Sequence, residues 1–148
     1  MAQNQLKQEE IEYLLSVLKT TLVDSVKFPT KGKSEQFEVK STINNELFSI
    51  RIYRGNVNRT KYNLGAIIER NSIPLLELHI GSRNRHVNPD GVVIEGSHWH
   101  IYSEEHGRTQ AFPAENIDSE EFVENTIVFL DKFNVIVKPE ITVQLELV

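Results

Sequence analysis

The chain has 148 residues, no cysteine, and 16 basic against 21 acidic side chains for a formal net charge of -5. That length fits one domain, residues 1–148, with enough apolar surface to fold unaided, while disulfides and thiolate metal sites are excluded. The acidic balance disfavours a broad sequence-independent nucleic-acid footprint, and no apolar run approaches the ~20 residues that span a bilayer.

MAQNQLKQEE lacks the basic start and apolar core of a secretory signal. A cytoplasmic protein without a membrane partner is therefore expected. Next, EEIEYLLSVLKTTLV places Ile11, Leu14, Leu15, Leu18 and Leu22 at the spacing of one helix face. Pro29 and Gly32 break that pattern, and residues 27–36 read as a loop.

From Phe37 the period changes to two. FEVKS, LFSIRIYR, KYNLGAIIER, IPLLELHI and HWHIYS are strand candidates, separated by INNE, GNVNRT, RNS and the long residues 81–97. A second helix follows, with Asp118 and Glu121 in the spacing of a capping box. Its buried stripe is expected at Phe122, Thr126, Ile127, Leu130 and Phe133, with Asn134 at its end and Pro139 preventing continuation. ITVQLELV then alternates Ile141, Val143, Leu145 and Leu147 against polar neighbours, as a half-buried closing strand does.

The expected fold is α+β: an N-terminal helix, an antiparallel meander of about five strands, a second helix packed on the same sheet face, and a C-terminal strand. Strand side chains alternate between faces, so the apolar set of each strand assigns the other set to the open side. Phe48, Ile50 and Ile52 turn inward and leave Ser49, Arg51 and Tyr53 outside. Tyr62, Leu64, Ala66 and Ile68 leave Asn63 and Glu69 outside, and Leu76, Leu78 and Ile80 leave Glu77 and His79. Trp99 and Ile101 turn inward, so His98, His100 and Tyr102 face out.

Pairing of the last two strands sets His79 opposite His98 or His100, with His86 above them from the loop. Such a cluster of titratable groups is a site signal, whereas His106 in EEHGRT reads as a plain surface residue. Arg51, Arg54, Arg59, Lys61 and Arg70 supply a local basic stretch, and Arg83, Arg85 and Arg108 flank the histidines. The acids of ENIDSEEFVE read as a solvated helix start.

Three chemistries suit the cluster. In the first, His98 and His100 form a general acid–base pair, assisted by His86, with Arg51 as phosphate partner and Tyr102 nearby. That chemistry cleaves RNA without a metal or cofactor. A helix ahead of a sheet bearing His, Arg and Tyr resembles the microbial ribonucleases and bacterial messenger-RNA-cleaving toxins, which implies RNA or an antitoxin protein as partner. The second is one divalent metal held by His79, His98, His100 and Glu104. Here H-x-H followed by an acid resembles the first motif of cupins, although the second motif and its later histidine are missing.

The third is a non-catalytic interaction protein, an inhibitor or derepressor from a phage or mobile element, docking on a host protein through the His face and residues 81–97. A homodimer is among the assemblies the sequence allows. Finally, LELHIGSRNRHVNPDGVVIEGSHWHIYSEEHGRTQAFP, with the later FLDKFNVIVKP, resembles an uncharacterised family of small proteins from Gram-positive bacteria and their phages. The match runs through His86, Asn88, Pro89, Asp90, Gly91, His98, His100, Tyr102 and Glu104. That family carries an acid at the position of His79, which moves weight onto His86.

Overall fold

The computed structural model describes residues 6–58 and 60–144. Helix α1 (Gln8–Ser16) precedes β1 (Lys19–Thr21), β2 (Ser25–Phe28), β3 (Ser34–Ser41), β4 (Leu47–Arg54), β5 (Tyr62–Ile68) and β6 (Ile73–Ile80). The short strands β7 (Arg85–Val87), β8 (Val93–Glu95), β9 (His98–Ile101) and β10 (Ala111–Pro113) follow. Helix α2 (Phe122–Lys132), β11 (Val135–Val137) and β12 (Glu140–Val143) complete the chain.

Eight strands form one sheet in the order β10-β9-β6-β5-β4-β3-β1-β11, antiparallel except where β1 meets β11. The small pairs β2–β12 (parallel) and β7–β8 (antiparallel) stand beside it. The fold is thus α+β with a large, mostly antiparallel mixed sheet. Among the described residues no helix is long and apolar enough to cross a membrane.

The central strands follow the period-two reading. Phe48, Ile50, Ile52, Leu64, Ala66, Ile68, Leu76 and Leu78 all lie in the core, and helix residues Ile11, Leu14, Phe129 and Leu130 join the same cluster. α2 lies on that face: Phe129 stacks on Trp99 at 6.2 Å, and Asn125 Nδ2 donates to the Tyr62 hydroxyl at 2.8 Å. α1 instead runs across one end of the sheet. Its polar contacts go to the β3–β4 turn (Tyr13 with Asn44), to Arg70 beyond β5 (Glu10, 2.8 Å), and to Glu104 beyond β9.

Several boundaries differ from expectation. α1 ends at Ser16, and Val17 is extended (φ -60, ψ 139). The Thr20-Thr21 run prefers a strand, so the residues read as a third helical turn form β1, and Leu18 and Leu22 are exposed. β2 and the start of β3 occupy part of the expected 27–36 loop. Asp118 does not cap α2; its carboxylate accepts the Glu120 N–H at 3.0 Å in the preceding turn, and its carbonyl accepts the Glu121 N–H.

The α2 stripe is Phe122, Asn125, Thr126, Phe129 and Leu130, with Phe133 buried just beyond. Ile127 is exposed because position i+5 from Phe122 falls off the face that i+4, i+7 and i+8 share. Asn134 does end the helix, in the left-handed region at φ 63. In β12 Ile141 is half-buried, but Val143 is exposed, contrary to the alternating reading. Leu145, Leu147 and Arg59 lie outside the described residues.

Candidate metal centre

β6 and β9 pair antiparallel with Glu77 opposite His100 and His79 opposite His98. Leu78 and Trp99 pair between them and turn to the other face. Alternation therefore delivers Glu77, His79, His98 and His100 as a two-by-two block on the sheet face opposite Leu78 and Trp99. That face is expected to be open, but the β7–β8 hairpin and the segment before β10 lie against it, and Glu77, His98 and His100 are buried. The ring centroids of His79 lie 5.2 Å from His98 and 4.6 Å from His100, and those of His98 and His100 are 5.0 Å apart.

The fourth histidine arrives from residues 81–97, which hold a hairpin where the sequence suggested only a loop. Its turn is Asn88-Pro89-Asp90-Gly91: the Gly91 N–H donates to the Asn88 carbonyl at 2.8 Å, and Gly91 sits at φ 90. The Asn88 side chain fastens the hairpin to β10. Nδ2 donates to the Ala111 carbonyl at 2.9 Å while Oδ1 accepts the Ala111 N–H at 2.7 Å, as a neighbouring strand would. His86 is thereby held 4.7 Å from His100 and 5.8 Å from His98, ring centre to ring centre.

Each of the four rings has one nitrogen fixed. His98 Nδ1 donates to the Gly96 carbonyl at 2.9 Å, and His100 Nδ1 to the Arg108 carbonyl at 2.8 Å. His86 Nε2 donates to the Thr109 carbonyl at 2.7 Å, and His79 Nε2 faces Glu77 Oε1 at 3.3 Å. Since carbonyls only accept, these bonds set the tautomers and leave Nε2 of His98 and His100 and Nδ1 of His86 with lone pairs. One ring nitrogen from each of His79, His98 and His100 falls within 4.8 Å of the others, which among the described residues is the group able to hold a metal ion.

Zinc–imidazole bonds of about 2.0–2.1 Å in a tetrahedron put the nitrogens roughly 3.3 Å apart. The triad would close by about 1.5 Å at most, a side-chain adjustment. Burial lowers the pKa of His98, with the neighbouring histidines adding to the effect, and burial beside His79 lowers His100 to about 4. Both are neutral at pH 7, the state a ligand requires. For Glu77, burial acts to raise the pKa, but hydrogen bonds from His79 and Arg108 outweigh it and hold the carboxyl below its usual range.

Arg108 grips both Glu77 oxygens, one from Nε at 2.9 Å and the other from Nη2. From the sequence Arg108 is only a base flanking the histidines; its place after the Ser103–Gly107 turn, which returns the chain toward β6, is the signal that could have found it. Arg51 does lie on the same face, in one row with Gly65, Glu77 and His100, yet two strands from Glu77. It contacts no histidine.

Tyr102 departs from expectation. β9 ends at Ile101, and Tyr102 is half-buried against the core with its N–H on the Leu75 carbonyl, so no hydrogen bond or ring contact joins it to the histidines. Glu104 is likewise no partner of the cluster. Its carboxylate accepts the Gln8 N–H at 2.9 Å, its own N–H returns a bond to the Gln8 side chain at 3.0 Å, and Lys7 stands 3.6 Å away. This half-buried acid is better used on the free N–H groups and positive end of α1 than in the histidine block. Tyr53 and Asn63 stay on the open face in the row of His79.

No curated protein and no solved structure shows significant similarity to the chain. Residues 6–135 match the model of a family of unknown function, DUF6978, and the chain belongs to that family.

Proposed function

We propose that the protein binds one transition-metal ion through His79, His98 and His100, with His86 at its edge, and uses it as a Lewis acid. The observation that carries this reading is the second hydrogen bond of every ring. All four histidines give one nitrogen to a carbonyl or carboxylate, the arrangement that orients metal-ligating imidazoles. Beside this, one ring nitrogen from each of His79, His98 and His100 lies within 4.8 Å of the others. An imidazole set suits zinc, iron, nickel or copper. Neutral ligands leave the ion its full charge, which acidifies a bound water toward neutral pH.

Calorimetric titration of chelator-treated protein with Zn2+, Ni2+ or Co2+ tests the reading. Close to one equivalent is expected, with loss of binding in His98→Ala and His100→Ala. Folded wild-type protein that takes up no ion overturns it.

The metal-independent ribonuclease of toxin type is the second reading, supported by the closeness of His86, His98 and His100. It needs one charged imidazole, the form that burial disfavours at both His98 and His100. RNA cleavage that survives EDTA and fails in His86→Ala would establish it; intact RNA would end it. An interaction protein of phage or mobile-element origin finds support in Val87, Val92 and Val93, exposed on the hairpin. Under that reading, capture of a stoichiometric host partner should be lost with changes at Arg83 and Arg85.

A further inference from the structure

Gly65 lies in the middle of β5, on the open face, between Arg51 of β4 and Glu77 of β6. Glycine inside a strand weakens it and needs a reason. Neither usual reason holds here. Gly65 is outside the positive-φ glycines, and a Cβ added to it would meet nothing nearer than Glu77 Cγ at 3.9 Å, an ordinary contact. The absent side chain leaves a trough in the sheet surface beside the histidines.

The walls of that trough are polar. On one side Arg51 is exposed and makes no hydrogen bond or ion pair among the described residues. Two strand spacings put its Cα about 10 Å from that of Glu77, a gap that a long guanidinium side chain spans in large part. On the other side Glu77 has both oxygens committed to Arg108 and His79, so its charge is compensated. Arg108 uses Nε and Nη2 there and has Nη1 to spare. In a chain of net charge -5, the Glu77–Arg108 pair cancels and Arg51 is left, among the described residues, as an unpaired cation in the row that runs through Gly65 and Glu77 to His100.

We infer that the Gly65 trough binds an oxyanion, a phosphoryl or carboxylate group, paired with Arg51 and presented to a metal ion on His79, His98 and His100. The guanidinium fork matches either group's paired oxygens, and glycine lets the anion lie close to the backbone. This deepens the metal reading and rests on it for the ligand's second contact. Arg51 here is a binding residue for substrate.

The test follows two sets of NMR signals in one sample of full-length protein loaded with one equivalent of Zn2+. Imidazole signals of His98 and His100 report the metal; the Gly65 amide and Arg51 Nε report the anion. Inorganic phosphate and acetate are the two probes. The expected result is a saturable shift at Gly65 and Arg51, with affinity falling about tenfold or more in Arg51→Gln and in Gly65→Val, while the histidine signals still respond to Zn2+. Preference for phosphate identifies a phosphoryl ligand, and preference for acetate a carboxylate. No shift with either probe, or unchanged affinity in Arg51→Gln, overturns the inference. Histidine signals that ignore Zn2+ overturn the metal reading instead, and the Gly65 and Arg51 shifts are then read in the metal-free protein by the same criteria.

Discussion

Two clusters of buried polar groups differ in how fully they are satisfied. Lys19 is completely buried at the junction of the two helix ends, and its ammonium donates to the carbonyls of Leu15 (3.3 Å), Val17 (2.8 Å) and Phe133 (2.8 Å). Its three N–H donors meet three acceptors, and the Phe133 ring covers the charge at 3.8 Å. The histidine block is also largely buried, His98 at 3 % exposure and His100 at 6 %, yet each ring is satisfied on one nitrogen and open on the other. Saturation marks a group that holds helices together. In the histidine block the second ring nitrogens instead keep access to solvent, since among the described residues no fully buried side-chain nitrogen lacks a hydrogen-bond partner, and under the metal proposal these are the atoms that take the ion.

The largest effect should come from breaking the saturated cluster. Lys19→Met strands the Val17 and Phe133 carbonyls in the core, while the Leu15 carbonyl keeps its bond from Asn134 Nδ2 at 2.9 Å, and should cost about 3 kcal/mol of stability, read as a lower denaturant midpoint, without changing metal affinity in the folded protein. Burial lowers the Lys19 pKa to about 7, but the loss of acceptor bonds is what the variant exposes.

Acid should strike the other cluster. Between pH 6.5 and about 4 the unfolded chain carries a proton on His100 that the folded chain refuses. The metal-free protein should therefore lose stability as pH falls through that window, by about 3 kcal/mol, and His100→Gln should flatten the dependence. A denaturation series from pH 7.5 to 4 checks it, and a curve identical in the variant would contradict the assignment.

Removing the outer brace should act more mildly. Arg108→Gln takes the guanidinium from Glu77 and should weaken metal binding by about 10-fold to 100-fold, as loss of such supporting contacts does, with the fold intact by circular dichroism. The smallest effect belongs to Glu104→Gln. Its ties to Lys7 and Gln8 are at the surface, so about 0.5 kcal/mol of stability is at stake, and metal affinity should not move. A tenfold loss there would return Glu104 to the ligand set.

The comparison also explains what the sequence could show. Alternation in LFSIRIYR, KYNLGAIIER and IPLLELHI assigned both faces, because one buried face fixes the parity of a strand. Trp99 and Ile101, half-buried against the core, put His98 and His100 on the opposite sheet face, where residues before and after β9 bury them, and the β6–β9 register brought His79 to His98. The helix reading failed at Leu18 and Leu22 because apolar spacing continued past the Thr20-Thr21 run that turns the chain into β1. β7, β8 and β10 have three residues each, too few for any period to register.

The supporting contacts were hidden for a different reason. Glu77 and Arg108 are 31 residues apart, and Asn88 and Ala111 are 23 apart. Such pairs depend on where two turns return the chain, a tertiary property with no local signature. Asn88 stood in a strong turn motif, which masked its second use as a strand mimic. Tyr102 and Glu104 fitted a motif by spacing alone, and the end of β9 at Ile101 carried both away from the face they were assigned to.

A metal ion on the open nitrogens of the histidine block is the proposal on which the metal-affinity predictions rest. Calorimetry of the chelator-treated protein against Zn2+, run in parallel on the wild type and on His98→Ala/His100→Ala, tests it most directly. One equivalent is expected on the wild type, with the double variant folded and unable to bind. Equal uptake by both proteins, or none by a folded wild type, would contradict it.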